Sequence, residues 1–193
     1  MIHISIEGMD GVGKSTLCKK LADKLGYKFV EKPLHYLYSN EDDISMYQEM
    51  AKKVNANPDR TFTSWYYALN NIYLYTLFKD QNIVTDRHIV SNYCWSGTDD
   101  NMDVYDLLLS KIGKPTLTVI LYAKPQAILK RLIGRNPNDS DLYKVTISEE
   151  KYEKMIYFCE IKKLPYIVID SSELESDEVV DIILERIGDV QNG

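Results

Sequence analysis

The sequence predicts an α/β fold of three layers, with helices on both faces of a mostly parallel central sheet. Three observations carry this expectation. Five short runs read as strands: alternating Ile2, Ile4 and Ile6, then the β-branched and apolar stretches 27–31, 82–86, 115–122 and 165–170. Helical patterns separate them, and strands joined through helices make right-handed crossovers that lay those helices over a parallel sheet. Between the first strand and the first helix stands Gly8-x-x-x-x-Gly13-Lys14-Ser15, a loop whose spacing requires a strand before it and a helix after it.

Taken in order, the first helix follows from Leu17, Leu21 and Leu25 at helical spacing, and Lys32-Pro33 ends the second strand because proline cannot continue a ladder. Residues 36–57 are mixed, with Asp42, Asp43 and Ile44 reading as a helix start and Pro58 as punctuation. The stretch 59–79 is long, aromatic and nearly uncharged, so a helix there is expected in the interior or lining a pocket. Further helices are expected over 103–112, 125–133, 148–163 and 176–187. Asn136-Pro137-Asn138-Asp139-Ser140-Asp141 has no periodicity and is flanked by Arg131, Arg135 and Lys144, which suggests a mobile cationic lid over about 134–147. Lys144 reads equally well as a solvated helix end. No repeat or linker divides the chain, so residues 1–193 are expected to form one domain.

Composition narrows the function. The net charge is −6 with no block of lysine and arginine, which favours a small-molecule partner over a nucleic acid polymer. Cys18, Cys94 and Cys159 are widely spaced and odd in number, fitting neither a zinc site nor a disulfide framework and suggesting a reduced, cytoplasmic setting. No run has the length of a membrane span, and the glycine loop begins too early to leave room for a signal peptide.

The loop carries the chemistry. Gly8, Gly11 and Gly13 permit positive φ, so that backbone N–H groups curl around phosphates at a helix N-terminus. The expected ATP-phosphate cradle is Gly8, Gly11, Val12, Gly13, Lys14, Ser15 and Thr16, with Lys14 on the terminal phosphates and the Ser15 hydroxyl on Mg²⁺. This gives the fold its name, a P-loop NTPase fold. Strand ends carry ligands in such sheets, so Glu31, Lys32, Asp86 and Arg87 should converge on the same cleft. Asp86 would hold Mg²⁺ through water or orient the attacking group, and Arg87 would hold a second phosphate; a plain surface ion pair is the other reading of Asp-Arg. Arg131 and Arg135 share a helix face and are the candidate lid cations for the transferring phosphoryl. Trp65, Tyr66, Tyr67 and Trp95 are candidates to stack a nucleobase, with core packing as the alternative, and His3, His35 and His88 read as structural.

Together Glu7-Gly8-Met9-Asp10-Gly11-Val12-Gly13-Lys14-Ser15-Thr16 and Asp86-Arg87-His88-Ile89-Val90-Ser91, with Trp95 and Gly97 downstream, resemble thymidylate kinases over nearly the whole chain. Pro115-Thr116-Leu117-Thr118 and Ile169-Asp170-Ser171-Ser172 resemble that family's later strand and its adenine-bordering loop. The resemblance implies an ATP- and Mg²⁺-dependent kinase acting on a deoxynucleoside monophosphate, dTMP first, with Asp10 on the acceptor's deoxyribose and Arg87 on its phosphate. It also implies Tyr67 against the base, Trp95 lining the base pocket, catalytic arginines from the lid because Gly11 replaces a loop arginine, and a homodimer through the 59–79 helix. Two positions depart from the family pattern: Asn71 stands in place of an arginine that reads the base, and Glu31 in place of an arginine for the acceptor phosphate. These departures resemble the deoxynucleoside kinases, in which a glutamate after the second strand serves as base toward a 5′-hydroxyl; Glu31 then has that role. A nucleotide-binding regulator without transfer activity is a third reading.

Overall fold

The computed structural model describes residues 1–37, 44–139 and 141–192. Asp42, Asp43 and Ser140 lie outside the described residues.

The strands are β1 (His3–Glu7), β2 (Lys28–Glu31), β3 (Ile83–Asp86), β4 (Leu117–Tyr122) and β5 (Tyr166–Asp170). They form one five-stranded sheet in the order β2-β3-β1-β4-β5, and every pairing is parallel. The chain runs outward from β1 to β2, returns to β3 beside β1, and then crosses to β4 on the other side. The carboxyl end of β1 therefore sits where the winding reverses, the place at which open parallel sheets leave a crevice. Ile6 and Glu31 both stand in register with Asp86, so the ends of β1, β2 and β3 are level.

The helices are α1 (Lys14–Leu25), α2 (Ser45–Asn55), α3 (Arg60–Phe78), α4 (Ile89–Ser96), α5 (Met102–Ile112), α6 (Pro125–Arg135), α7 (Ser148–Ile161) and α8 (Ser176–Asn192). Helix α1 ends at Gly26, whose φ of 67° lets its N–H reach back to the carbonyls of Ala22 and Asp23. Two ion pairs, Lys20 with Asp177 and Lys24 with Asp181, tie α1 to α8 on one face of the sheet. The other face is covered by α3, α4, α5 and α7. Stacked Tyr93 and Phe158, with Tyr105 edge-on to both, join α4, α5 and α7 there. No helix among the described residues is long and apolar enough to cross a membrane.

Two expectations need correction, and a third is met on one side of its helix. Helix α4 was not anticipated: its residues are buried on nearly every side, so the stretch carries no amphipathic period to read. Helix α3 meets its expectation on one side, which is interior and lines a pocket through Tyr67, Asn70 and Asn71. Ala68, Asn71, Leu74 and Phe78 are buried, but Phe62, Trp65, Leu69 and Ile72 form an exposed apolar stripe, because the flanking elements cover only one side. The loop expected around residue 140 is in part regular, with a 3₁₀ turn over Leu142–Ile147.

Strand β1 alternates. Ile4 and Ile6 are fully buried on one face, while His3, Ser5 and Glu7 are buried on the face toward α3 and α4. The His3 ring bonds Tyr75 Oη at 2.6 Å and Thr85 Oγ1 at 2.9 Å, and His88 packs edge-on against it. Burial pulls His3 down from 6.5 to about 3, and burial with the nearby His3 pulls His88 well below its ordinary value. Both rings are therefore neutral in the native state and charge more readily when unfolded. The contribution of His3 to stability is complete above 6.5 and is lost as pH falls toward 3, at about 1.4 kcal/mol per pH unit, and that of His88 is lost in the same direction. Thermal unfolding midpoints should drop steeply on acidification below 6.5, and His3→Gln should flatten that slope; an unchanged slope contradicts the assignment.

Candidate active site

The loop after β1 takes the backbone form that its glycines allow, with φ of 143° at Gly8, 83° at Gly11 and 96° at Gly13. The first two have no substitute. A Cβ on Gly8 would lie 2.4 Å from the carbonyl oxygen of Leu121, and one on Gly11 would lie 2.8 Å from Leu132 Cγ. Val12 is buried under the loop, and Lys14 Nζ donates to the Met9 carbonyl at 2.7 Å across its curl. Burial lowers Lys14 to about 8, with Arg87 adding repulsion and Asp86 and Asp10 opposing it.

Two cavities open at the carboxyl ends of the strands. The first, about 480 Å³, is lined by Gly11, Gly13, Lys14, Ser15, Thr16, Glu31, Arg131 and Arg135. The second, about 430 Å³, is lined by Tyr67, Asn71, Trp95, Lys144 and the neighbouring Tyr47, Asn55, Arg60, Asn70, Ser91 and Asn92. Asp10, Lys32, Asp86 and Arg87 line both. The two chambers meet at these four side chains, beside the glycine loop.

Arg87 is central to the junction. It is a non-glycine residue at φ 73°, a strained conformation held because its N–H bonds the Ile6 carbonyl while its guanidinium grips the loop. Nη1 donates to the Gly8 carbonyl at 3.0 Å and to Ser91 Oγ at 3.3 Å, and Nη2 to Asp10 Oδ1 at 2.6 Å. Asp10 Oδ2 accepts from Lys144 at 2.8 Å. Burial alone would raise Asp10, but Arg87, Lys14 and Lys144 hold it well below the usual carboxylate range.

Ser15 Oγ donates to Asp86 Oδ2 at 2.5 Å, and Asp86 Oδ1 is buried without a protein partner. A hydroxyl beside a carboxylate with an unused oxygen is the donor set that Mg²⁺ takes from a protein when water and phosphate complete its shell. The two predicted metal residues thus fit the ion.

The predicted residues divide between the chambers. Glu31 faces the first and pairs with Lys32 Nζ at 3.0 Å. Arg131 and Arg135 reach the same chamber by different routes. Arg131 donates to the Ser171 carbonyl at 2.6 Å and the Val12 carbonyl at 3.3 Å, whereas Arg135 pairs with Asp139. Tyr67 Oη donates to Asn55 Oδ1 at 2.8 Å at the wall of the second chamber, and Asn71 Nδ2 is buried there without a partner. Trp95 is bracketed by the ammonium groups of Lys144 and Lys151, 5.4 and 5.6 Å from its ring centre. Of the aromatic candidates, Tyr67 and Trp95 line the chamber; Trp65 instead stands in the exposed stripe of α3.

Sequence reasoning missed Glu7. Its carboxylate is fully buried, accepting from Ser5 Oγ at 2.8 Å and from the Ser91 N–H at 3.1 Å, with a further bond from Ser91 Oγ. Burial raises its pKa, opposed by these hydrogen bonds and by Arg87. The signal was present, since Glu7 closes an apolar strand as Asp86 does. Arg60 and Asn55 also line the second chamber, and nothing in their local sequence distinguishes them from surface residues.

The sequence model of the thymidylate kinase family matches residues 6–183. The chain belongs to the thymidylate kinase family. It is accordingly an ATP-dependent nucleotide kinase. Among curated relatives of this thymidylate kinase family member, a cytidylate kinase from Onion yellows phytoplasma is 27% identical, covering 95% of this chain and 94% of its own length. Two solved structures share the fold. A thymidylate kinase from Candida albicans has TM-score 0.70 and 19% identity, over 99% of this chain and 92% of that one. A deoxyadenosine kinase from M. mycoides has TM-score 0.62 and 18% identity, over 97% of this chain and 100% of that one.

Proposed function

We propose that this kinase transfers the γ-phosphoryl of ATP to a deoxynucleoside monophosphate, dTMP first among them, with ATP in the chamber under the glycine loop and the acceptor in the second chamber. The supporting observation is the charge at the acceptor side. Arg87, Lys32 and Lys144 line the second chamber, whereas Glu31 lines only the first and is paired with Lys32. A phosphate acceptor needs cations to bring it up to another phosphate, while a hydroxyl acceptor needs a free base within reach. Of the two carboxylates at the junction, Asp10 is held ionised by three cations and is a poor proton acceptor, and Asp86 is engaged by the Ser15 hydroxyl in the pair assigned to Mg²⁺.

In this reading the loop amides and Lys14 hold the donor phosphates, and Arg131 and Arg135 close on them from the lid. Ser15 and Asp86 would hold Mg²⁺, which when bound neutralises charge on the β- and γ-phosphate oxygens. Arg87 holds the acceptor phosphate, Tyr67 and Trp95 bound the base, and Asp10 orients Arg87 rather than standing free for a sugar hydroxyl. The unpartnered Asn71 Nδ2 offers a donor to a base carbonyl. The same amide, turned over, accepts from an amino group, so Asn71 supplies a hydrogen bond to the base edge, and the preference for dTMP rests on the family resemblance.

The second reading, a deoxynucleoside kinase with Glu31 as base, draws on the register of Glu31 with Asp86 at the ends of adjacent strands and on the fold shared with the M. mycoides enzyme. An ATP-coupled turnover panel of all four deoxynucleosides and their monophosphates separates the two. The expected result is turnover of monophosphates, with dTMP the best acceptor in kcat/KM. Turnover of nucleosides alone replaces this reading with the second, and a purine monophosphate as best acceptor overturns the assignment of dTMP.

A further inference from the structure

The 3₁₀ turn over Leu142–Ile147 sends one cation into the junction of the two chambers, and it is a lysine. Lys144 Nζ lies 2.8 Å from Asp10 Oδ2 and 2.7 Å from Asp141 Oδ1, with its ammonium 5.4 Å from the centre of the Trp95 ring. It lines the acceptor chamber, whereas Arg131 and Arg135 line the chamber under the glycine loop. The cations of this segment are therefore divided between the two substrates. The other oxygen of Asp10 holds Arg87 at 2.6 Å, so a single carboxylate bridges Arg87 and Lys144 with one oxygen each.

That bridge has the form of a phosphate contact. Two cations gripping two oxygens of one anion accept a phosphate monoester in the same way, and a phosphate carries more charge and more acceptor oxygens than a carboxylate. Both partners of Asp10 are largely but not fully buried, with side-chain exposure of 28% for Arg87 and 22% for Lys144. An incoming phosphate thus meets two partly desolvated cations that are already held near each other, and little side-chain entropy remains to be lost on binding.

We propose that Lys144 is the acceptor-side cation of the lid: it contacts the phosphate of the acceptor monophosphate together with Arg87, and Asp10 holds the two cations side by side. Selection of a monophosphate over a nucleoside then comes from the lid as well as from the sheet. Trp95 sits beside the Lys144 ammonium, so engagement of Lys144 by a phosphate changes the charge next to the indole. This inference rests on the acceptor reading given above.

The test measures binding directly, because a monophosphate binds whether it is acceptor or product. Titration calorimetry compares dTMP with thymidine for the full chain and for Lys144→Gln. The expected result is a loss of about 10- to 100-fold in dTMP affinity with thymidine affinity unchanged, partly restored in Lys144→Arg. In a Trp65→Phe background, dTMP should alter the emission of Trp95 beyond the change that thymidine alone produces, and Lys144→Gln should remove that difference. Equal losses for dTMP and thymidine mark a merely structural lysine and overturn the proposal. So does an unchanged dTMP affinity, or an unmodified chain that binds dTMP no better than thymidine. Failure of the acceptor reading shows separately, as turnover of nucleosides alone in the panel.

Discussion

Lys14→Met should lower kcat with ATP by about 10²- to 10³-fold, the cost of removing one preorganised charge from a developing anion. The ammonium is buried and held over the loop by the Met9 carbonyl, ready to exchange that contact for phosphate oxygens. Its pKa of about 8 adds a second expectation. The neutral amine cannot balance phosphate charge, so kcat/KM for ATP should fall as pH rises through about 8, the value in the free enzyme. A profile flat across that range contradicts the assignment. The substitution should not unfold the protein. A lysine whose native pKa is lowered costs stability when charged, so the thermal midpoint of Lys14→Met should hold or rise.

Arg87→Lys should cost about 10²-fold in kcat/KM for the acceptor while KM for ATP changes by no more than about twofold. The guanidinium fork serves the Gly8 carbonyl, Ser91 and Asp10 at once, and a single ammonium cannot span them. Loss of the fork should also reduce stability by about 1–3 kcal/mol. Steady-state kinetics with ATP and acceptor varied separately, beside a denaturant titration, measure both effects. Equal losses in the two KM values would assign Arg87 to the loop's structure instead.

The parts of the site that the sequence made legible are those where backbone geometry and chemistry share residues. Gly8, Gly11 and Gly13 adopt the positive φ that their spacing implies, and Asp86 sits at a strand end because a carboxylate closing an apolar run has nowhere else to go. Four of the five strands were readable as short runs rich in β-branched residues, and β2 through the Lys32-Pro33 that ends it. What stayed hidden depended on contacts across the fold. Helix α4 is buried all round and has no polar face to announce it. Trp65 and Trp95 look alike in sequence, and only the one-sided packing of α3 sends Trp65 outward. Lys144 reads as an ordinary charge near a helix end until the 3₁₀ turn brings it to Asp10, which lies 134 residues earlier in the chain.

The central claim is that the acceptor presents a phosphate, and Glu31 tests it most directly. Initial rates with ATP are measured for the unmodified chain and Glu31→Gln, on dTMP and on thymidine. The account predicts turnover of dTMP by both proteins, with the variant within about threefold of the parent or faster, since removing a carboxylate near the junction relieves repulsion of the phosphate. Thymidine as the better acceptor, with turnover abolished in Glu31→Gln, would contradict it and make Glu31 a base.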